Sequence, residues 1–374
     1  MTRRQTSSSP AIDLPEVPVR PDEEVLEEGD LDVGGDGEAP AVRADKTGAW
    51  MVAPASHGQR LDAFLAAAVP EHSRSHLKQL IEDGCAQVAG VVVTTPSRKV
   101  QAGQTVEVVL RPTAQSQAFV AEPMALPIVF EDAHLLVVDK PAGLVVHPAA
   151  GNWSGTLMNG LLAHHAGANA LPRAGIVHRL DKDTSGLMVV GKTLEAVTAL
   201  SRAIAAREVK RQYLAITHGV VPEHLTIEAP LARDPVSRVR MAVVPSGKPA
   251  KTDVACLVRG RGGLDGGGGP KGGAAVVRDF SGVLCTLHTG RTHQIRVHLA
   301  SRGHPLVADA LYGGQAAWGM GRQALHAARL AFTHPHSGEP MAFTSALPAD
   351  MSQAWGRLSG EGESNFTAGA TTRA

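Results

Sequence analysis

From residue 125 to 350, strand-like and helix-like pieces alternate, and this alternation limits most what the chain can fold into. "LPIVFEDAHLLVVDKPAGLVVHP" reads as three short strands separated by turns, and "SGTLMNGLLAHHA" as a helix. "GIVHRLD" and "GLMVVGK" read as strands around a loop. "TLEAVTALSRAIAARE" is an amphipathic helix capped by Thr193, "KRQYLAITHGVV" a strand, and "THQIRVHLASRG" a helix with Thr292 near its cap and Gly303 past its end. The mixture predicts an α+β domain built on a mixed, mainly antiparallel sheet.

Segments that cannot build a core delimit the foldable part. Residues 1–46 are rich in Glu, Asp, Gly and Pro and nearly lack aromatics. They bury too little apolar surface to offset the entropy of ordering, so a disordered acidic tail is expected, with a second disordered tail at 360–374. "RGRGGLDGGGGPKGGAA" (259–275), between the strand-like runs "DVACLV" and "GVLCTL", reads as a flexible insertion at a hairpin tip.

Residues 58–110 form a separate small unit. "QRLDAFLAAAVP" sets Leu61, Phe64, Leu65 and Val69 on one helical face and stops at Pro70. "SRSHLKQLIEDG" starts with Ser73 as N-cap, turns Leu77, Leu80 and Ile81 inward and ends at Gly84. Arg74 and Lys78, four apart, share the opposite face. Short strands follow, with turns at Ala89-Gly90 and at Gly103. Two small helices, a few strands and one basic exposed face resemble the S4 RNA-binding domain. The resemblance implies that Arg74 and Lys78 contact RNA. Ala89 stands where that family has Asn before Gly.

The net charge of zero hides a division. Residues 1–46 hold five basic and twelve acidic side chains, a net of −7, which leaves +7 on the remainder together with all 17 histidines. A basic body behind an acidic tail points to a polyanionic partner. No run of about 18 apolar residues marks a membrane helix, and the N-terminus lacks the apolar core of a signal peptide. Cys85, Cys256 and Cys285 lie far apart with no Cys-x-x-Cys pair, which excludes a disulfide framework and fits a reducing cytoplasm.

Several chemistries fail on spacing. His164-His165 and His288, His293 and His298 lack the three- or four-residue spacing that puts two ligands on one helical face, and no Cys accompanies them. They read as surface or RNA-facing histidines, and no metal is expected. No G-x-S-x-G elbow singles out Ser185, and "GGGGPKGG" lacks the strand and helix of a phosphate cradle.

Asp181 remains. An Asp beside Arg179 in a loop is, on local sequence alone, a turn aspartate or a surface ion pair. Four blocks change that weighing: "DKPAGLVVHP" (139–148), "HRLDKDTSGL" (178–187), "KRQYLAITHG" (210–219) and "GRTHQIRVH" (290–298), in that order. Together they resemble the pseudouridine synthases that modify ribosomal RNA, in the branch with an N-terminal S4 domain and, within it, the D type, which acts on large-subunit rRNA. "ARDPVSRVRMAVVPSGKPAKT" and "GHPLVADALYGG" extend the match, which spans about residues 58–350.

The resemblance implies an isomerase that detaches uracil from its ribose, rotates it and rejoins it through carbon, without redox change, energy input or cofactor. It implies an ionised carboxylate, Asp181, acting as nucleophile or as a base toward the sugar. A cation must hold that carboxylate charged, and Arg296 is the match, with Arg291 more suited to phosphate. The stacked target must be flipped out. Arg179, two residues before Asp181 and on the same strand face, fills the gap or meets the backbone. Tyr213 is the stacking ring and the base for a late proton transfer. Lys140 and His147 match an RNA-contacting block, and Gly186 permits a close backbone approach. The expected partner is RNA, specifically large-subunit rRNA or its assembly intermediates, met by a cytoplasmic monomer without a membrane. A noncatalytic ribosome-associated RNA-binding protein would not need Asp181, Tyr213 and Arg296 in their blocks. An S4-containing tRNA synthetase would need nucleotide-binding motifs that are missing, and tRNA is the alternative substrate within the enzyme class.

Overall fold

The computed structural model describes residues 46–111, 118–149, 151–237, 239–265 and 277–360. The acidic stretch 1–45, the tail 361–374 and residues 266–276 of the Gly-rich stretch lie outside the described residues. The described residues divide into two units, one within 46–121 with 148–154 and the other within 122–147 with 155–360.

The first unit pairs two helices with a four-stranded sheet. Its strands are β1 (Lys46–Met51), β2 (Ala86–Val88), β3 (Val91–Val93) and β4 (Thr105–Leu110), in the order β1-β4-β2-β3. Its helices are α1 (Leu61–Ala68) and α2 (Arg74–Glu82). Leu61, Leu65, Leu77 and Ile81 are fully buried against Val88, Val106 and Val108, so the helical spacing of the apolar residues decides which faces meet. Ser73 caps α2 by accepting the amide of His76. Strand β1 was not expected: its alternation is weak, and its burial runs between exposed and half-buried.

The second unit is a nine-stranded mixed sheet with helices on it. In chain order it contains β5 (Ile128–Glu131), β6 (Leu135–Lys140), α3 (Leu157–His164), β7 (Ser185–Gly191), α4 (Leu194–Ala205), β8 (Lys210–His218) and β9 (His224–Glu228). There follow a two-stranded ribbon of β10 (Leu231–Arg233) with β11 (Met241–Val243), then β12 (Lys251–Gly263), β13 (Val277–Leu287), α5 (Gln294–Ser301), β14 (Leu325–Thr333), β15 (Pro340–Thr344) and α6 (Ala349–Ser359). The sheet order is β5-β6-β7-β14-β8-β13-β12-β9, with β15 on β14. Among the described residues only the β7–β14 pair is parallel, which gives the mixed, mainly antiparallel sheet expected of the sequence.

Period-two alternation divides the core. Leu136, Val138, Met188 and Val190 pack with Leu157 and Leu161 of α3, while Leu135, Val137, Leu187 and Val189 pack with Leu200 and Ile204 of α4. In β8, Tyr213 and Ala215 join the first core, and Leu214 and Ile216 join Met351 and Trp355 of α6. At about 25 cal/mol per Å² of apolar surface removed from water, these layers are the main stabilising term of the unit.

Three expectations need correction. "GLVVHP" is no strand: 144–148 is irregular, with a single bridge from Ala149 to Asn152. "GIVHRLD" is no strand either. Only Ile176 makes a bridge, and the ring of His178 takes the Val189 amide that a strand neighbour would have used. The hairpin arms reach further into the Gly-rich stretch than expected, since Arg259–Gly263 pair with Val277–Ser281.

Candidate active site

Asp181 lies on an irregular segment, 176–184, that is tied down at several points. Lys140 is fully buried, and its ammonium donates to the carbonyls of Pro141, Leu144 and Lys182, each at 2.9 Å. Arg322, gripped by Asp350 at 2.7 and 3.0 Å, donates to the Asp183 carbonyl at 2.8 Å. Leu180 is buried, and the Thr184 amide closes a turn on the Asp181 carbonyl at 3.1 Å. Gly186 (φ +114°) follows at the parallel junction, where a Cβ would stand 2.3 Å from the backbone oxygen of Ala327. The close approach expected of Gly186 is therefore to β14.

The carboxylate meets α5. Arg296 Nη1 donates to Asp181 Oδ2 at 3.0 Å, while its Nε and Nη2 donate to Asp309 at 2.8 and 2.9 Å. One guanidinium thus bridges two carboxylates, and Asp309 is buried. Burial opposes the Arg296 charge, but the hydrogen bonds and charges of Asp309 and Asp181 outweigh it and raise its pKa. The guanidinium also lies over the Tyr312 ring, 5.0 Å from its centroid.

His293 approaches the other carboxylate oxygen. The helix begins at Gln294 rather than at Thr292, and His293 is its N-cap in the left-handed region (φ 57°). The Met241 amide donates to the Tyr312 hydroxyl at 2.9 Å, and the same hydroxyl is hydrogen-bonded to His293 Nδ1 at 2.7 Å. Its Nε2 lies 3.8 Å from Asp181 Oδ1. Burial, with Arg296 and Arg179 and against Asp181 and Asp309, lowers the His293 pKa and leaves the ring neutral.

A cavity of about 800 Å³ opens on Asp181. Tyr213 and Arg179 line it, and so do Arg291, Arg296, Arg173 and Arg202. Asp181 is the single carboxylate among its lining residues. Tyr213 is 5% exposed, and burial, moderated by Arg211 and reinforced by Asp181, pushes its phenol up to about 12, so the hydroxyl stays protonated. Arg179 is exposed, although no strand carries it.

Other sequence candidates lie elsewhere. Lys140 is not an RNA contact: its ammonium is enclosed and spent on three carbonyls. His147 offers RNA no charge, because burial, then Arg179 and Arg173, lower its pKa to about 4. His298 is a core residue bonded to Thr252 and the Ala229 carbonyl, not a surface histidine. Arg74 and Lys78 are exposed in the first unit, but each has an acidic partner, Asp62 at 3.0 Å and Glu82 at 3.6 Å. Asp309, Tyr312, His293 and Arg322 were missed. The signal for Asp309 was an acid inside the apolar run "PLVADALYGG".

Comparison with known proteins shows the family of the chain. Residues 134–301 match the model of the RNA pseudouridylate synthase family, and residues 59–106 match the S4 domain. The chain is 49% identical over 306 residues to "Ribosomal large subunit pseudouridine synthase D" of Neisseria meningitidis serogroup B, covering 79% of this chain and 77% of that protein. It is 46% identical over 302 residues to the protein of the same description from Nitrosomonas europaea (79% and 83%), and 45% over 307 residues to that from Pseudomonas aeruginosa (79% and 90%).

The chain belongs to the RNA pseudouridylate synthase family.

It is therefore an isomerase that converts uridine in RNA to pseudouridine, with an S4 RNA-binding domain in front of the catalytic one. An enzyme acting on a base within RNA must take the nucleotide out of its stack, and the cavity of about 800 Å³ around Asp181 is of a size for one.

Proposed function

We propose that this pseudouridylate synthase acts on specific uridines of large-subunit ribosomal RNA, with Asp181 as the reacting carboxylate. The observation that carries the reading is the clamp of Arg296 between Asp181 and Asp309, which sets Asp181 as the single carboxylate in a cavity whose lining includes six arginines. Asp181 attacks C1′ or takes the C2′ proton, and Tyr213 stacks on the flipped base as a neutral phenol. Arg179 fills the gap left in the RNA or meets its backbone, and Arg291 contacts phosphate. Arg74 and Lys78 of the S4 domain hold flanking RNA. The relatives named above are described as large-subunit enzymes, which supports the substrate. No helix among the described residues is long and apolar enough to cross a membrane.

Pseudouridine mapping of rRNA from cells with and without the protein tests the substrate. Sites that vanish from large-subunit rRNA support it, and sites that vanish only from tRNA overturn it. Asp181→Asn should abolish pseudouridine formation and leave RNA binding intact, and a still active variant would remove Asp181 from the chemistry. Affinity should fall steeply with added salt.

A further inference from the structure

Arg211 precedes Tyr213 by two residues on β8, so both side chains leave the strand on one face, about 7 Å apart along it. Both line the cavity around Asp181. The Arg211 residue is 5% exposed, yet its guanidinium has neither a carboxylate nor a hydrogen-bond acceptor among the described residues, and its Nε is sealed without a partner. The neighbouring buried cations are matched: Arg296 by two carboxylates, Lys140 by three carbonyls and Arg322 by Asp350. A buried cation without a counter-charge is costly, so a retained one marks a place where an anion arrives with the substrate. Gly290 borders the guanidinium, and a Cβ there would stand 2.8 Å from Arg211 Nη1 and displace it.

A second donor lines the same cavity. The Val189 amide donates to His178 Nε2 at 3.1 Å, so the His178 proton sits on Nδ1. That Nδ1–H is buried with no partner. Burial, then Arg211, lowers the His178 pKa to about 3, so the ring is neutral and the positive charge belongs to Arg211 alone.

Electron balance names the anion. When the C1′–N1 bond breaks, its electron pair leaves with the base. If Asp181 attacks C1′, its oxygen pair forms the new C1′–O bond. If Asp181 takes the C2′ proton instead, the C2′–H pair forms the C1′=C2′ double bond. In either case Asp181 loses its negative charge and the detached uracil gains it, spread over N1, O2 and O4. We propose that Arg211, with the Nδ1–H of His178 as second donor, forms the subsite that takes the oxygen edge of this pyrimidinedione anion while Tyr213 holds its face.

The proposal rests on the assignment of Asp181 to the chemistry, so Asp181→Asn is measured alongside. Activity in that variant would sink the assignment itself, whatever Arg211 does. Single-turnover rates at saturating rRNA are compared for wild type, Arg211→Gln and Arg211→Lys, on uridine and on 5-fluorouridine at the target position, by loss of the starting nucleoside. Arg211→Gln should slow the uridine reaction by about 10²–10³-fold with RNA affinity unchanged. Fluorine at C5 withdraws charge from the anion, so the loss on 5-fluorouridine should be several-fold smaller than on uridine. If Arg211→Gln fails to fold, as a melting curve would show, Arg211→Lys carries the same comparison, because it keeps the charge and loses the fork. Equal losses on both substrates would overturn the proposal. So would weaker binding with a wild-type rate at saturation, which would assign Arg211 to a phosphate.

Discussion

The ammonium of Lys140 donates to the carbonyl of Lys182 at 2.9 Å, one residue past Asp181, so the end of β6 holds the Asp181 segment by its backbone. Burial lowers the Lys140 pKa to about 8 against the pull of Asp181 and Asp183. As pH rises through about 8, the folded enzyme loses that proton and one of three hydrogen bonds, and activity should fall along an alkaline limb there. Stability has the opposite sign. Between about 8 and the ordinary lysine value the unfolded chain binds more protons, so the Lys140 contribution to stability rises with pH. Lys140→Met should lose the limb together with most of the activity. Rate–pH profiles beside denaturant titrations separate the two effects, and a parallel fall of rate and stability would contradict this account.

Asp309 sits thirteen residues beyond Arg296 and takes two of its N–H groups. Asp309→Ala leaves a buried guanidinium half paired and should destabilise the catalytic unit by about 3–5 kcal/mol. Asp309→Asn keeps the shape but not the charge, and Arg296 should then swing more fully onto Asp181. We expect that variant to fold and to turn over at least about tenfold more slowly. Thermal melting with single-turnover kinetics checks both variants, and a fully active Asp309→Asn would show that Asp309 does not position Arg296.

Much of this was legible in the sequence where the relevant physics is local. Ser73 and Thr193 cap α2 and α4 by accepting amides three residues on, and Leu61, Leu65, Leu77 and Ile81 turn inward as their spacing requires. The segments that failed were decided by distant partners. "GIVHRLD" has the β-branched look of a strand, but Lys140, Arg322 and the Val189 amide, which donates to the His178 ring, hold that region and the turn after it from outside. Asp309 and Tyr312 meet Arg296 and His293 only through the fold, and His298 is buried because Thr252 and the Ala229 carbonyl satisfy both ring nitrogens. The motif blocks located Asp181 and Arg296, but not which oxygen each cation would take.

In the S4 domain, Asp62 accepts from Arg60 at 3.0 Å and from Arg74 at 3.0 Å, tying the start of α1 to the start of α2. The Arg60 hydrogen bond, followed by that of Arg74 and the charges of both, overcomes desolvation and holds the Asp62 carboxyl at about 2. A depressed carboxylate stabilises above its unfolded value of about 4 and loses that contribution as pH falls through about 2. The stability gap between wild type and Asp62→Asn should therefore be constant from pH 7 to near 4 and close below it. Hydrogen exchange of the α1 and α2 amides reads the gap, and a gap that persists at the acid end would mean that the carboxylate's charge is not what joins the helices.

Gly186 and Gly338 both have positive φ, +114° and +73°, but they differ in what surrounds them. A Cβ on Gly338 meets nothing within 4 Å, so Gly338→Ala carries only the left-handed penalty, about 1–2 kcal/mol. A Cβ on Gly186 meets the Ala327 oxygen at 2.3 Å and its nitrogen at 2.6 Å, and no side chain can move to relieve backbone pressed on backbone. Gly186→Ala must part β7 from β14 at their parallel pairing, five residues after Asp181. It should cost on the order of 4 kcal/mol or more and abolish activity even where the protein still folds. Similar melting temperatures for the two variants would show that the β7–β14 junction gives way easily and that the position of Asp181 does not depend on it.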